Sequence, residues 1–551
     1  MSEQSHKERE HFFGAAKLVA GVTILSRFAG MLRAAAIASL GANEMTDAFG
    51  LAFKVPNLFR RLFAEGALSA AFVPVFSEVD ERDGHARAAA LLSNAMGLLS
   101  VFLLVLMIVV QAGLAAWSWL WPGAADRQLA MMLTSVMMPF MVTVCMLALA
   151  AAALNARGHF LYPAATPILL NLVIVAAAWF VAPLWKQDLA ARLTVISASV
   201  SAAGVLQLLG VLWVLRRAGF SLRMKLRPIQ PGIRAIVRLM GPVLLGLGFL
   251  QLSELAESLI AFKLRVTADE PTISLFGQVL AKPLDAGVIQ RIDAARYLYQ
   301  FPLGVLAISL GVAVFPLISR YAARGDLPNL RDAVNRALRL SFMEGMATGA
   351  GLFILAEPIT RVLYVHGAFT PADAALSAFV LRMYCLGMWA YCTYQILARA
   401  FYAMKDTRTP LKVSCVMAAL HLLLVAGLVW VPALGPGSFG VATAGVFSLN
   451  VLILAYLLRR RLGRLGGRHF AASAARTLAA CAVMTGVIYA MRWQFDRMGA
   501  SDWLDVAACV PAGGAAFILT AWLLRAPELG ELWGAARSKL KGKKADADSV
   551  Q

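Results

Sequence analysis

The sequence predicts an all-α polytopic membrane protein of about fourteen transmembrane helices: two six-helix lobes related by a pseudo-two-fold axis, followed by two additional carboxy-terminal helices. Three observations carry that expectation. Apolar residues make up 60% of the 551 and charged residues only 15%, with a mean hydropathy of +0.71, and apolar runs long enough to cross a bilayer recur along the whole chain. Lys and Arg gather in alternate connections, as the positive-inside rule requires. Short stretches also recur at an offset of about 245 residues, the mark of an internal repeat.

At roughly 20 apolar residues per crossing, the first lobe reads as spans near 16–40, 47–77, 88–117, 129–155, 160–183 and 190–215. Six more begin near 234, 287, 332, 372, 407 and 438, and the last two cover about 471–493 and 503–525. The expected division is 1–220 for the amino-terminal lobe, 221–462 for the carboxy-terminal lobe, and 463–551 for two further helices and a basic cytoplasmic tail. The amino terminus, MSEQSHKERE, is polar and no small-residue cleavage site follows a short apolar core, so the first apolar segment is expected to stay as a helix.

The basic connections run from Arg216 to Arg238 (with Arg223 and Lys225), from Arg399 to Lys412, and from Arg459 to Arg476 (with Arg464), and the tail adds Lys539, Lys541, Lys543 and Lys544. The intervening connections, Gly41 to Thr46, Trp121 to Gln128, Leu434 to Ser438 and Arg492 to Asp505, are poor or neutral. Both termini are therefore expected on the cytoplasmic side of a bacterial inner membrane, with an even number of spans. The net charge of +20 is read as loop charge, and nucleic acid is not among the expected partners. The repeat appears twice: Asn155-Ala156-Arg157-Gly158 before Pro163 answers Tyr402-Ala403-Met404-Lys405 before Pro410, and Phe72-Val73-Pro74 answers Val314-Phe315-Pro316.

Charge inside these spans is the chemical signal. Arg27 and Arg33 interrupt the first, Lys54, Arg60 and Arg61 the second, and Arg296 the eighth, although a guanidinium near the bilayer centre costs roughly 2.5–3.5 kcal/mol on insertion scales. At 1.5 Å per residue Arg27, Arg60 and Arg296 lie about 16, 20 and 15 Å from their nearer ends. Such a set suits a diphosphate, because the planar guanidinium binds phosphate oxygens in pairs. For Arg33 and Arg61, snorkelling or pairing with an acid stays open. Lys54 is a supporting cation and Asp47 a cap or gate partner at the end of its span. Glu254 and Glu257, three apart on one helical face, either hold a monovalent coupling cation or pair with Lys263 or Arg265. Glu344 has no obvious local partner. The six cysteines lack CxxC spacing and the seven histidines lack ligand spacing, so no metal or cofactor is expected. Neither a phosphate-binding loop nor a GxSxG elbow is present, which leaves a motor or hydrolase without machinery.

The series SRFAGMLR (26–33), TDAF (46–49), FKVPNLFRRLFAEGALSAAFVP (53–74), YQFPLGV (299–305) and ARAFYAMKDTRTPLK (398–412) strongly resembles the MurJ (MviN) lipid II flippases of the MOP exporter superfamily, over essentially the whole chain. The resemblance implies two six-helix lobes around a cationic cavity, two extra helices forming a groove for the lipid tail, and export of undecaprenyl-diphosphate-linked peptidoglycan precursor by alternating access. It places the family's functional arginines on Arg27, Arg33 and Arg60 and its acid on Asp47. In the eighth span the family arginine position holds Tyr297, and Arg296 stands one residue earlier. The family's sodium ligands in the eleventh helix have no counterpart, since no Asp or Glu lies between Ala374 and Met404. Lipid II, membrane lipids and peptidoglycan synthesis proteins are the expected partners of a monomer, with coupling to membrane potential or a monovalent cation. The nearest alternative is a flippase for another polyprenyl-diphosphate-linked oligosaccharide. A cation-drug exporter would line its chamber with acids and aromatics, and a membrane enzyme would need catalytic acids at a wet helix end.

Overall fold

Helix α5 (Ala125–Ala156) is the most thoroughly buried of the apolar helices, and its composition explains why. An alanine-rich second half (Ala148, Ala150, Ala152 and Ala153) lets neighbours approach on several sides, while Met137, Met138, Phe140 and Met141 fill the first half, all fully or almost fully buried. The computed structural model describes residues 3–120, 123–220, 225–275, 277–463 and 466–530. Arg223, Arg464 and the basic tail residues Lys539, Lys541, Lys543 and Lys544 lie outside the described residues.

The chain forms two units, Met1–Ala294 with His366–Phe369, and Ala295–Val365 with Thr370–Gln551. In the first, α5 packs against α2 (Glu44–Phe59), α3 (Leu68–Asp83), α4 (His85–Leu120) and α7 (Leu189–Arg217). α1 (Glu3–Ala38) pairs with α6 (Leu161–Ala176), and α8 (Pro231–Leu264) closes against α2 and α3. The turn His366–Phe369 packs on the end of α1, where the Ala368 N–H donates to the Ser39 carbonyl at 2.8 Å.

A feature without a sequence signal joins α8 to α9 (Val288–Pro302): a two-stranded antiparallel hairpin, β1 (Thr272–Leu275) with β2 (Gln278–Ala281), Thr272 opposite Ala281. Among the described residues the departure from the all-helical expectation is confined to this connection.

In the second unit the organising helix is α11 (Leu327–Tyr364), which contacts α10 (Ile308–Ala323), α12 (Pro371–Cys385), α13 (Met388–Ala403), α16 (Gly467–Met498) and α17 (Asp502–Leu523). α14 (Arg408–Leu428) and α15 (Gly437–Leu462) pack beside α12 and α13.

The repeat has a structural counterpart. α2 and α3 are joined by a π-helical segment, Arg60–Ala67, and α9 and α10 by another, Leu303–Ala307; such wide turns are uncommon and often functional. Both halves also end a helix in the same motif. Gly158 (φ 79°) and Lys405 (φ 60°) adopt the left-handed conformation. His159 and Asp406 donate back to Leu154 and Phe401 at 2.9 and 3.0 Å, which is the Schellman pattern.

Among the described residues eleven helices are long and apolar enough to cross a membrane, or twelve if the bent pair α12 and α13 is one span. The expected count of fourteen is not reached on that criterion. α2 with α3 and α8, which carry Lys54, Arg60 and Arg61 and Glu254 and Glu257, are not among those helices.

Candidate functional site

The sequence-selected cations of the first unit lie on α1, α2 and the π-helical segment that follows α2. α2 begins because Asn43 caps it, its side chain accepting from the Met45 and Thr46 N–H groups, each at 3.0 Å, with the Thr46 hydroxyl returning the bond. Arg27, Arg33, Lys54, Arg60 and Arg61 are all half-buried. α1 runs through Gly30 without a break, and Asn171 of α6 donates to the Ser26 carbonyl beside Arg27 at 3.4 Å. The Arg33 guanidinium carbon sits 5.1 Å from the Phe53 ring centre, so cation–π attraction holds α1 to α2. Arg60 Nε donates to Asn57 Oδ1 at 2.7 Å, one turn back.

Lys54 pairs with Asp293 of α9 at 3.1 Å, both about one-fifth exposed. A β-carbon at Gly50, one turn before Lys54, would stand 2.9 Å from the Ile289 side chain, so the absence of a side chain there is what lets α2 and α9 meet closely enough for the pair. Arg61 donates to the Gln251 side chain at 3.3 Å and forms a short ion pair with Glu254 on α8. This corrects the expected pairing of Glu254 with Lys263 or Arg265, because helix packing brings Arg61 to α8. Glu257, one turn on, is buried.

Asp47 is fully buried and accepts from the Gly287, Ile289 and Gln290 N–H groups at 2.8, 2.8 and 3.2 Å. It therefore caps α9 from a different helix, meeting the positive end of that helix dipole. Arg265, also fully buried, stands 3.5 Å from Asp47, forms a short pair with Asp126, and donates to the Phe262 carbonyl at 3.1 Å. Sequence reasoning placed Arg265 beside the α8 glutamates and passed over Asp126 and Asp293. Asp293 did carry a signal, as the one acid in α9, three residues before Arg296.

In the second unit Arg296 is half-buried on α9, and its Nε donates to the Tyr384 hydroxyl at 3.0 Å. Glu344 on α11 has a buried carboxylate oxygen without a hydrogen-bond partner. Among the described residues no group of three or more His, Cys, Asp or Glu could hold a metal ion.

A family model described as lipid II flippase MurJ matches residues 37–502. The chain belongs to that family. Its members are transporters, and so is this chain; it is not an enzyme. The matched span begins after Arg27 and Arg33 and ends at the start of α17. A protein of Burkholderia cenocepacia named lipid II flippase MurJ is 32% identical over 464 residues, covering 82% of this chain and 84% of its own. A probable lipid II flippase MurJ of Rhizobium tropici is 31% identical over 487 residues, 86% of each chain. A solved structure of a lipid II flippase MurJ in an inward closed conformation superposes with a TM-score of 0.72 at 20% identity, over 92% of this chain and 98% of that one. An inward-facing multidrug-resistance MATE transporter of the MOP superfamily follows at 0.65 and 13%, over 82% and 98%. The last two are likenesses of fold, and they support the polytopic all-helical architecture.

Proposed function

We propose that this chain carries lipid II from the cytoplasmic to the outer leaflet of the bacterial inner membrane by alternating access, with Arg27, Arg33, Arg60 and Arg296 engaging the diphosphate. The observation that carries the reading is the family match over residues 37–502. What supports the residue roles is chemistry: guanidinium groups on apolar helices are tolerated where an anion or wet cavity meets them. In the same reading α2 with α3 and α8 also cross the membrane despite their charge, which restores fourteen spans with both termini cytoplasmic, and the protein acts as a monomer alongside peptidoglycan synthesis proteins.

Lys54 and Arg61 then serve as gate or supporting residues, since each has an acidic partner to leave and rejoin. Asp47 holds the outer end of α9. Return of the empty carrier draws on the membrane potential, worth about 2.3 kcal/mol per charge per 100 mV. A monovalent cation at Glu254 and Glu257 is the weaker coupling choice, because it would have to displace the Arg61 guanidinium from Glu254.

The test is depletion of the native flippase in cells carrying this chain, with outer-leaflet lipid II measured directly. The parent chain should restore it, and Arg27→Ala, Arg60→Ala and Arg296→Ala, at equal expression, should each abolish rescue. Full rescue by all three would remove the proposed residue roles, and failure of the parent would remove the function.

A further inference from the structure

We propose that Tyr384 is the positioning residue for Arg296, held in place by the bend between α12 and α13. The two helices meet at 45° across Leu386 and Gly387. A β-carbon at Gly387 would stand 2.7 Å from the Ala444 α-carbon of α15, and backbone cannot yield as a flexible side chain can. The bend is therefore packed tightly against α15, at a position where a side chain would not fit.

Tyr384 and Tyr391 flank this bend, seven residues apart, with exposures of 0% and 3%. Tyr299 of α9 stacks on Tyr384 with ring centres 4.7 Å apart and planes 23° from parallel, and lies 5.4 Å from Tyr391. Tyr391 meets Phe447 edge-on at 4.9 Å. Arg296 precedes Tyr299 by one helical turn, so both side chains leave α9 on neighbouring positions of one face.

The Arg296 Nε–H donates to the Tyr384 hydroxyl at 3.0 Å, and its guanidinium carbon lies 5.9 Å from that ring. Because the guanidinium is planar, fixing Nε–H fixes the plane of the whole fork and thus where it meets an anion. Tyr384 is itself wholly buried, so its part is to orient the arginine and not to touch the substrate. Movement at the bend would swing Tyr384 and re-aim Arg296, which couples the shape of α12 and α13 to headgroup capture.

The proposal rests on Arg296 being a substrate contact, and the experiment separates the two. Purified full-length chain in nanodiscs is titrated with fluorescently labelled lipid II, for the parent, Tyr384→Phe, Arg296→Gln, the double variant and Arg296→Lys, with melting temperature followed in parallel. Tyr384→Phe keeps the ring stack and removes only the acceptor, and should weaken binding about tenfold with little change in melting. In the Arg296→Gln background the same change should have no further effect. Arg296→Lys, which keeps the charge but lacks Nε–H, should also bind weakly and serves if Tyr384→Phe does not accumulate. Unchanged affinity in Tyr384→Phe beside a weakened Arg296→Gln overturns the positioning role alone. Equal losses from Tyr384→Phe in both backgrounds also overturn it, as general structural damage. Parent-like binding by Arg296→Gln removes both this role and that of Arg296 as a substrate contact.

Discussion

Single side chains in this protein are governed by the high cost of burying charge. Arg265 and Asp47 are both wholly excluded from solvent, and a buried pair broken by removing one member leaves the other uncompensated, at about 3–5 kcal/mol. Asp47→Ala should accordingly lower the melting temperature of the detergent-solubilised chain by several degrees, whereas Asp47→Asn, which still accepts the N–H groups of α9, should lower it less. Equal melting of both variants would show that the charge, and not the cap, is what matters. The existence of these charged residues was legible, since arginines inside apolar runs stand out. Their partners were not, because Asp293 lies 239 positions from Lys54 and Glu254 lies 193 from Arg61. Arg296 shows the same divide: its displacement by one residue was visible, yet its tie to Tyr384 across 88 positions was not.

Helices and the hairpin set the next level of argument. The contact of α2 with α9 is a ladder of Asp47 on the α9 amino terminus, Gly50 on Ile289 and Lys54 on Asp293. Gly50→Val would force the helices apart, a kind of overpacking that typically costs about 1–3 kcal/mol, and transport in the depletion assay should fall. Cysteines replacing Lys54 and Asp293, joined by a short bis-methanethiosulfonate linker that spans the reach of the lost lysine, should stop transport until a reductant is added; continued export by the fully cross-linked chain would show that α2 and α9 need not part. At the hairpin, Glu270 bonds Lys282 and Arg127, each at 3.2 Å. The hydrogen bond from Lys282 and the charges of Lys282 and Arg127 hold the Glu270 carboxyl below the usual glutamate range, against partial burial. Since the folded value is the lower one, this contribution to stability is complete above the ordinary glutamate range and is lost as pH falls through the folded value. Melting of the parent should therefore drop below that range more than melting of Glu270→Gln. The π-helical segments at Arg60–Ala67 and Leu303–Ala307 had no pattern of their own, because a wide turn is imposed by what packs on either side.

For the whole molecule, the repeat and the added helices decide the architecture. α16 and α17 are built into the second unit through Leu340, Met343, Cys481, Met484, Ile488 and Phe517. Glu528, just beyond α17, is almost fully buried, accepts from the Ser473 hydroxyl at 2.8 Å and lies 3.5 Å from Arg339 of α11. Glu528→Ala should thus loosen the whole carboxy-terminal pair and lower melting, and Glu528→Gln less so; unchanged melting in Glu528→Ala would show that the apolar core alone holds them. The sequence reading took these helices as an appendage outside the repeat, and periodicity could not tell that a carboxylate after the last span anchors them.

What the sequence alone determined was the solvent this chain lives in, its helical class, its internal duplication and the identity of its misplaced cations, all of which are written in local composition and spacing. Only the tertiary structure decided which acid meets which base, where a helix widens or bends, and which aromatic ring aims an arginine. Those choices arise from contacts between residues far apart in the chain, whose energies exist only after the helices have packed.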